Sequence, residues 1–241
     1  MSNRAILKQC RTIAAALEEN IHEALAVWLI AQSANRNKKL IRSLRWPGAQ
    51  ELWDLLFSVW ARYVMLVLAR VCDSKDTHRA SLPKLIDLVD AHGGRAEILS
   101  EARSWTPRFP HRADANEKRA EDLLNSAIRR FNRWRQSSKC KELIDFRHTH
   151  LAHDLRLHSK RPKVRVGDIE YGLQVLSGIV RDFQFAIGGQ WQDHAHLRQV
   201  WEERIEPFWR RLHVGSNFEN SRRRKLLAAL RSRRTSCRNR H

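Results

Sequence analysis

Between Arg4 and Leu44 the chain has neither glycine nor proline, and that absence constrains the fold more than any other feature. Over so long a stretch Leu25, Trp28, Leu29 and Gln32 recur at spacings of three and four, the period of one helical face. The later breaks are sparse, at Pro47-Gly48, Pro83, Gly93-Gly94, Pro107, Pro110, Pro162, Gly167, Gly188-Gly189 and Pro207, and most of the segments between them are long enough for helices. No alternating strand pattern stands out. The expected class is all-α.

Taken in order, residues 4–44 form one long helix or two joined near Glu19-Asn20. The next helix starts after Trp46-Pro47-Gly48, with proline near the first turn, where its missing N–H costs nothing. Its residues from Leu52 to Val67 are apolar nearly all round, as expected at the centre of a bundle or in a subunit interface. Asp54 and Arg62 interrupt that run, so it reads as a buried core helix rather than a membrane span. Residues 73–80 are a polar loop, and Ser81 is positioned to cap a short helix carrying Leu82, Leu85, Ile86 and Val89, which Gly93-Gly94 ends. A second short helix precedes an irregular loop, Ser104 to Pro110. Trp105 and Phe109 in that loop are suited to stacking on bases, although packing onto the body is their more usual role.

A helix beginning near Asp114 carries the stripe Leu124, Ala127, Ile128, Phe131 and Trp134, with Arg129, Arg130, Arg133 and Arg135 on its flanks. Another follows through Cys140, Leu143, Ile144, Arg147, Leu151 and Asp154. A further one runs from Asp168, read as its N-cap, through Leu176 and Phe183 to Ile187, where Gly188-Gly189 stops it. The last, about 190–212, contains Pro207, which is expected to kink or break it. The organisation expected is a helical domain over residues 1–190, a helical extension over 191–219 and a basic, flexible tail over 220–241.

Composition narrows the function. A net charge of +19 and a pI near 10.9 favour polyanionic partners, nucleic acid or an acidic membrane surface. The tail is one source: it has no acid after Glu219 and carries Arg222, Arg223, Arg224 and Lys225, with further arginines up to Arg240. Leu226, Leu227 and Leu230 give it an apolar side on which a short helix could form against RNA or lipid. The rest of the chain remains strongly basic without it. The four cysteines, Cys10, Cys72, Cys140 and Cys237, include no C-x-x-C pair, which argues against a zinc module and a disulfide framework and suits a reducing cytoplasm. Met1 to Asn20 carries charges throughout and lacks the apolar core of a signal peptide.

The chemistry concentrates in Phe146-Arg147-His148-Thr149-His150-Leu151-Ala152-His153-Asp154. Arginine offers a permanent, bidentate cation for a phosphate, and histidine exchanges a proton near neutral pH. Cutting RNA by 2′-hydroxyl attack needs a base, an acid and positive charge on the phosphate oxygens, and these residue types supply all three. On a straight helix Arg147 and His150 lie in or beside the apolar stripe, while His153 points about 120° from Arg147. Convergence therefore needs the helix to end or bend near Ala152, or a second subunit to bring the partner. The ordinary reading of Arg147 is an ion pair with Asp145 or Glu142. Two other functions fit the same residues: a non-catalytic RNA- or DNA-binding or partner-docking module, and a metal-dependent phosphohydrolase using His148, His150, His153 and Asp154 as ligands.

This segment resembles the F-R-x-x-H-L-A-H segment of HEPN domains, in the branch similar to U-type abortive-infection proteins. Leu66-Val67-Leu68-Ala69-Arg70-Val71-Cys72-Asp73, closing a long apolar helix, and Ser81-Leu82-Pro83-Lys84-Leu85-Ile86, opening the next, fit the same branch in order and spacing. The resemblance, which covers roughly residues 20–190, implies an antiparallel HEPN-like bundle, to which the pattern after residue 190 adds a C-terminal helix; it also implies a homodimer without cofactor or metal, and metal-independent cleavage of RNA. Its motif maps onto Arg147, His148 and His153 as catalytic residues, with His150 and Asp154 in supporting roles. It further implies a cytoplasmic toxin or defence effector, held in check by an antitoxin protein.

Overall fold

The computed structural model describes residues 3–37, 49–74, 80–90, 92–151, 165–190, 196, 198–209 and 211, with the backbone alone for residues 3, 49 and 148–151. In chain order the helices are α1 (Asn3–Arg36), α2 (Ala49–Val71), α3 (Leu82–Asp90), α4 (Gly94–Ala102), a 3-10 turn (Pro110–Arg112), α5 (Ala113–Gln136), α6 (Ser138–Leu151) and α7 (Val166–Gly188). A final helical stretch, α8, covers 198–209. Among the described residues there is no strand, and the fold is all-α.

Within the first glycine-free stretch Asn3–Arg36 is a single helix, unbroken at Glu19-Asn20; residues 38–44 lie outside the described residues. Ser81 caps α3 as its side chain permits, its Oγ accepting from the Lys84 N–H at 3.4 Å while its carbonyl accepts from Leu85 N–H. Asp168 does not cap α7. Arg165 holds the N-cap position, and Asp168, three residues on, accepts from the Arg165 backbone N–H at 3.1 Å. An acid there satisfies an orphan donor and meets the positive end of the helix dipole, which is why the cap was read three residues late. Gly189, at φ 67°, closes α7, its N–H donating to Phe185 O at 2.8 Å. Helix α8 continues through Pro207; its onset lies outside the described residues.

The main core is built on α7, which packs against α1 and α5. Leu176, Ile179, Val180, Phe183 and Ala186 of α7 meet Leu17 and Ile21 of α1 and Leu124, Ala127 and Phe131 of α5 in one buried cluster. Trp105 in the irregular loop packs edge-on against Phe185, its ring centroid 5.3 Å away, so it serves the body; Phe109 stays 48% exposed with Arg112 over its ring. A second, smaller cluster joins Leu25 and Leu29 of α1, Trp53 of α2 and Ile205 and Trp209 of α8.

One ion-pair group links α5 to α7. Asp182, buried on α7, accepts from Arg130 of α5 at 2.7 Å and from its neighbour Arg181 at 3.1 Å. Gly178 makes room, because a Cβ there would collide with the Arg130 guanidinium. Of the four arginines flanking the α5 stripe, Arg130 thus has a structural partner, whereas Arg129, Arg133 and Arg135 are exposed.

Helix α2 departs from the fully buried helix its composition suggests. Val64, Val67, Leu68 and Val71 are in the main core, but Leu52, Leu55, Leu56 and Val59 are exposed. The Phe131→Ala variant is expected to lose about 3–5 kcal/mol of stability, and Leu55→Ala to stay within roughly 0.5 kcal/mol of wild type, both by urea denaturation. Burial lowers the pKa of His22, against a smaller raising effect of Glu18. The folded state therefore binds fewer protons there than the unfolded chain. Stability should fall as pH drops through about 6.5, and His22→Gln should remove that component of the pH dependence in a thermal-melt series.

Candidate functional site

Helix α6 is anchored at its start. Ser137, in an extended conformation, joins it to α5: its Oγ donates to the Trp134 carbonyl at 2.6 Å and accepts from the Cys140 N–H at 3.2 Å, serving both helix ends. Lys139 donates to Asp168 of α7 at 3.0 Å and lies over the Tyr171 ring at 4.5 Å, and this contact with Lys139 holds the Asp168 carboxyl below its usual pKa. Cys140, Leu143 and Phe146 then bury one face against the core, so the helix reaches Arg147 in a set orientation. Cys140 also meets Cys72 at the end of α2, and hydrogen bonding between the two thiols together with burial pushes Cys72 well above the ordinary thiol range. Both are free cysteines.

Arg147 is the first residue of the segment to leave the core. Its Nη1 donates to the carboxylate of Asp73, the second residue past the end of α2, in an ion pair whose side chains are 26% and 12% exposed. Neither Asp145 nor Glu142 takes that place, and helix geometry gives the reason. At 100° per residue they lie roughly 160° and 140° around α6 from Arg147, too far to reach its guanidinium. Asp73 was visible only as the acid closing an apolar helix; its partner is 74 positions away, a pairing that no local pattern reports. An arginine has five N–H donors in a planar fork. Anchoring one Nη by a carboxylate fixes the plane of the group and leaves donors on its other edge suited to a phosphate.

Of the other residues singled out above, His148 and His150 occupy the last turn of α6, where only the backbone is described. His153, Asp154 and the tail with Arg222, Arg223, Arg224 and Lys225 lie outside the described residues. The metal-ligand cluster proposed from His148 to Asp154 falls in the same region. Among the described residues no group of three or more His, Cys, Asp or Glu side chains is arranged to hold a metal ion.

The Asp73–Arg147 pair joins two helices at low exposure, so removing one partner leaves the other charge poorly solvated. Asp73→Ala and Arg147→Ala are each expected to cost about 1–3 kcal/mol. The double variant should cost less than their sum by roughly 1 kcal/mol, measured as a double-mutant cycle in denaturant.

No curated protein and no solved structure matches the chain. The profile of the HEPN AbiU2 family does match, over residues 7–203, a span that runs from α1 into α8 and includes both Asp73 and Arg147. The chain is a member of the HEPN AbiU2 family, an abortive-infection group of HEPN-type proteins.

Proposed function

We propose that the protein is a metal-independent endoribonuclease acting as a defence effector in the cytoplasm. The observation that carries this reading is the Arg147 guanidinium, held by Asp73 just past the end of α2 and followed at once by the histidine-rich segment. In the proposed reaction Arg147 binds the non-bridging oxygens of one phosphodiester and stabilises the charge that builds on them in the transition state. His153 takes the proton of the adjacent 2′-hydroxyl, whose oxygen attacks phosphorus. The bond to the 5′-oxygen breaks, and that oxygen is protonated by a second imidazole, His148 of the same chain or a histidine of a second copy. The products are a 2′,3′-cyclic phosphate and a 5′-hydroxyl. His150 and Asp154 orient the imidazoles.

Asp73 is a positioning residue in this scheme, because it touches Arg147 and not the substrate. The high positive charge draws RNA to the surface whatever its sequence, and the tail arginines add to this non-specific affinity. A homodimer and a neutralising antitoxin protein complete the proposal.

The test is cleavage of fluorescent single-stranded RNA by the full chain in EDTA. Expected are fragments ending in 2′,3′-cyclic phosphate, with activity lower by about 10²–10⁴ in His153→Ala. Arg147→Ala should be inactive and Arg147→Lys only partly active. Tight, salt-dependent RNA binding without cleavage, unchanged by His153→Ala, overturns the nuclease reading in favour of a binding module.

A further inference from the structure

Helix α2 is apolar on two sides, and the described residues cover only one of them. Trp53 and Trp60 join the smaller core cluster with α8, Trp53 meeting Trp60 and Trp209 edge-on at 6.1 and 6.4 Å between ring centroids. Leu52, Leu55, Leu56 and Val59 fall within about 100° of one another around the helix, and they are 51, 60, 38 and 50% exposed. Four large aliphatic side chains left in water on one face mark a surface that something covers.

The stripe lies beside the place where α8 ends. Leu56 is about 60° around α2 from Trp53, and Trp53 rests on Trp209 in the last turn of α8. Phe208, 53% exposed with its ring 4.9 Å from that of Trp209, adds apolar surface at the same point. The chain that follows Arg211 therefore sets out from the edge of the stripe. From Arg211 to Arg222 it can span at most roughly 40 Å, whereas the stripe from Leu52 to Val59 is only about 10 Å long.

What the chain then presents fits that face. Leu226, Leu227 and Leu230 have a spacing that on a helix brings them within about 100° of one another, and Arg222, Arg223, Arg224 and Lys225 precede them. The edge of α2 beyond Leu55 carries Glu51 and Asp54, both exposed, before Arg62 is reached two turns on. Leucines can thus meet leucines while cations meet acids. A segment tethered this close acts at an effective concentration on the order of millimolar, which favours it over a second copy or a separate partner at micromolar levels. Lipid is a poorer fit. The stretch Gln50–Val71 is long and apolar enough to cross a membrane, but a third of it is already buried inside the bundle, and the two acids edge its free side.

We propose that residues 222–231 of the same chain dock on the exposed face of α2 as an amphipathic helix, Leu226, Leu227 and Leu230 packing on Leu52, Leu55, Leu56 and Val59, with the preceding cations toward Glu51 and Asp54. The inference stands on α2 and α8 and draws nothing from the chemistry at Arg147.

The test is a disulfide trap in the full chain. Leu55→Cys and Leu227→Cys are combined in a Cys237→Ser background, oxidised with copper–phenanthroline and read by mass spectrometry on a mixture of isotopically light and heavy protein, with circular dichroism to establish that each variant is folded. The expected result is a cross-link within single chains, several fold stronger than that of Leu227→Cys paired with Arg129→Cys, an exposed position on α5. Leu226→Glu with Leu230→Glu should remove it, and should speed alkylation of the Leu55→Cys thiol by iodoacetamide by about tenfold, because the face is then uncovered. Glu51→Lys with Asp54→Lys should weaken the cross-link several fold at low salt. Equal cross-linking at both positions, or alkylation indifferent to the leucine substitutions, overturns the proposal. Cross-links chiefly between light and heavy chains overturn it in favour of a second copy. Alkylation slowed only by phosphatidylcholine–phosphatidylglycerol vesicles overturns it in favour of lipid. A cross-link unchanged by Glu51→Lys and Asp54→Lys overturns the charge pairing.

Discussion

Burial of the apolar side of α7 against α1 and α5 is the contact on which the remaining architecture depends. Leucine, isoleucine, valine and phenylalanine side chains from Ile169 to Ile187 are withdrawn from water along nearly every turn. Each such side chain contributes about 1.5–3 kcal/mol relative to exposure, which makes this three-helix contact the largest single source of stability. What surrounds it is attached to it. Helix α6 is tied to α7 through Lys139 and Asp168 and to α5 through Ser137, and α2 enters the same core with its second half only. The polar links add direction rather than much energy: Arg130 and Asp182 set how α5 lies along α7, and Gly178 leaves room for the guanidinium.

The electrostatics of the site follow from where the helices end. An acid two residues past the end of an apolar helix and an arginine in the second half of an amphipathic one place opposite charges at the rim of the core, at an exposure low enough for the pair to hold one geometry. Two free thiols, Cys72 next to the acid and Cys140 two turns before the arginine, are buried in the core alongside. The arginine of the histidine-rich segment is thus steadied from outside its own helix.

Much of the fold was legible in the order of residues, and the reason is local. Helix periodicity, the Ser81 cap and the Gly93 and Gly189 stops are decided within a few positions, so they survive into the structure. Two of the misreadings arose where the deciding contact is distant. The partner of Arg147 was sought within its own helix, although Asp145 and Glu142 lie on the wrong side. The burial of α2 was inferred from its composition, which does not say whether an apolar face meets the same chain. Asp168 was taken for a cap because an acid at the third helical position and an acid at the cap look alike in sequence.

The Asp73–Arg147 pair closes a loop of 74 residues, and this bears on when the site comes into being. A contact of such long range cannot form until α2 and α6 have both docked, after most of the loop-closure entropy has been spent. During synthesis, a nascent chain that has not yet extended past residue 147 holds the acid without its guanidinium. The charged centre is thus a product of completed folding, and partly assembled chains would lack it even where their individual helices have formed.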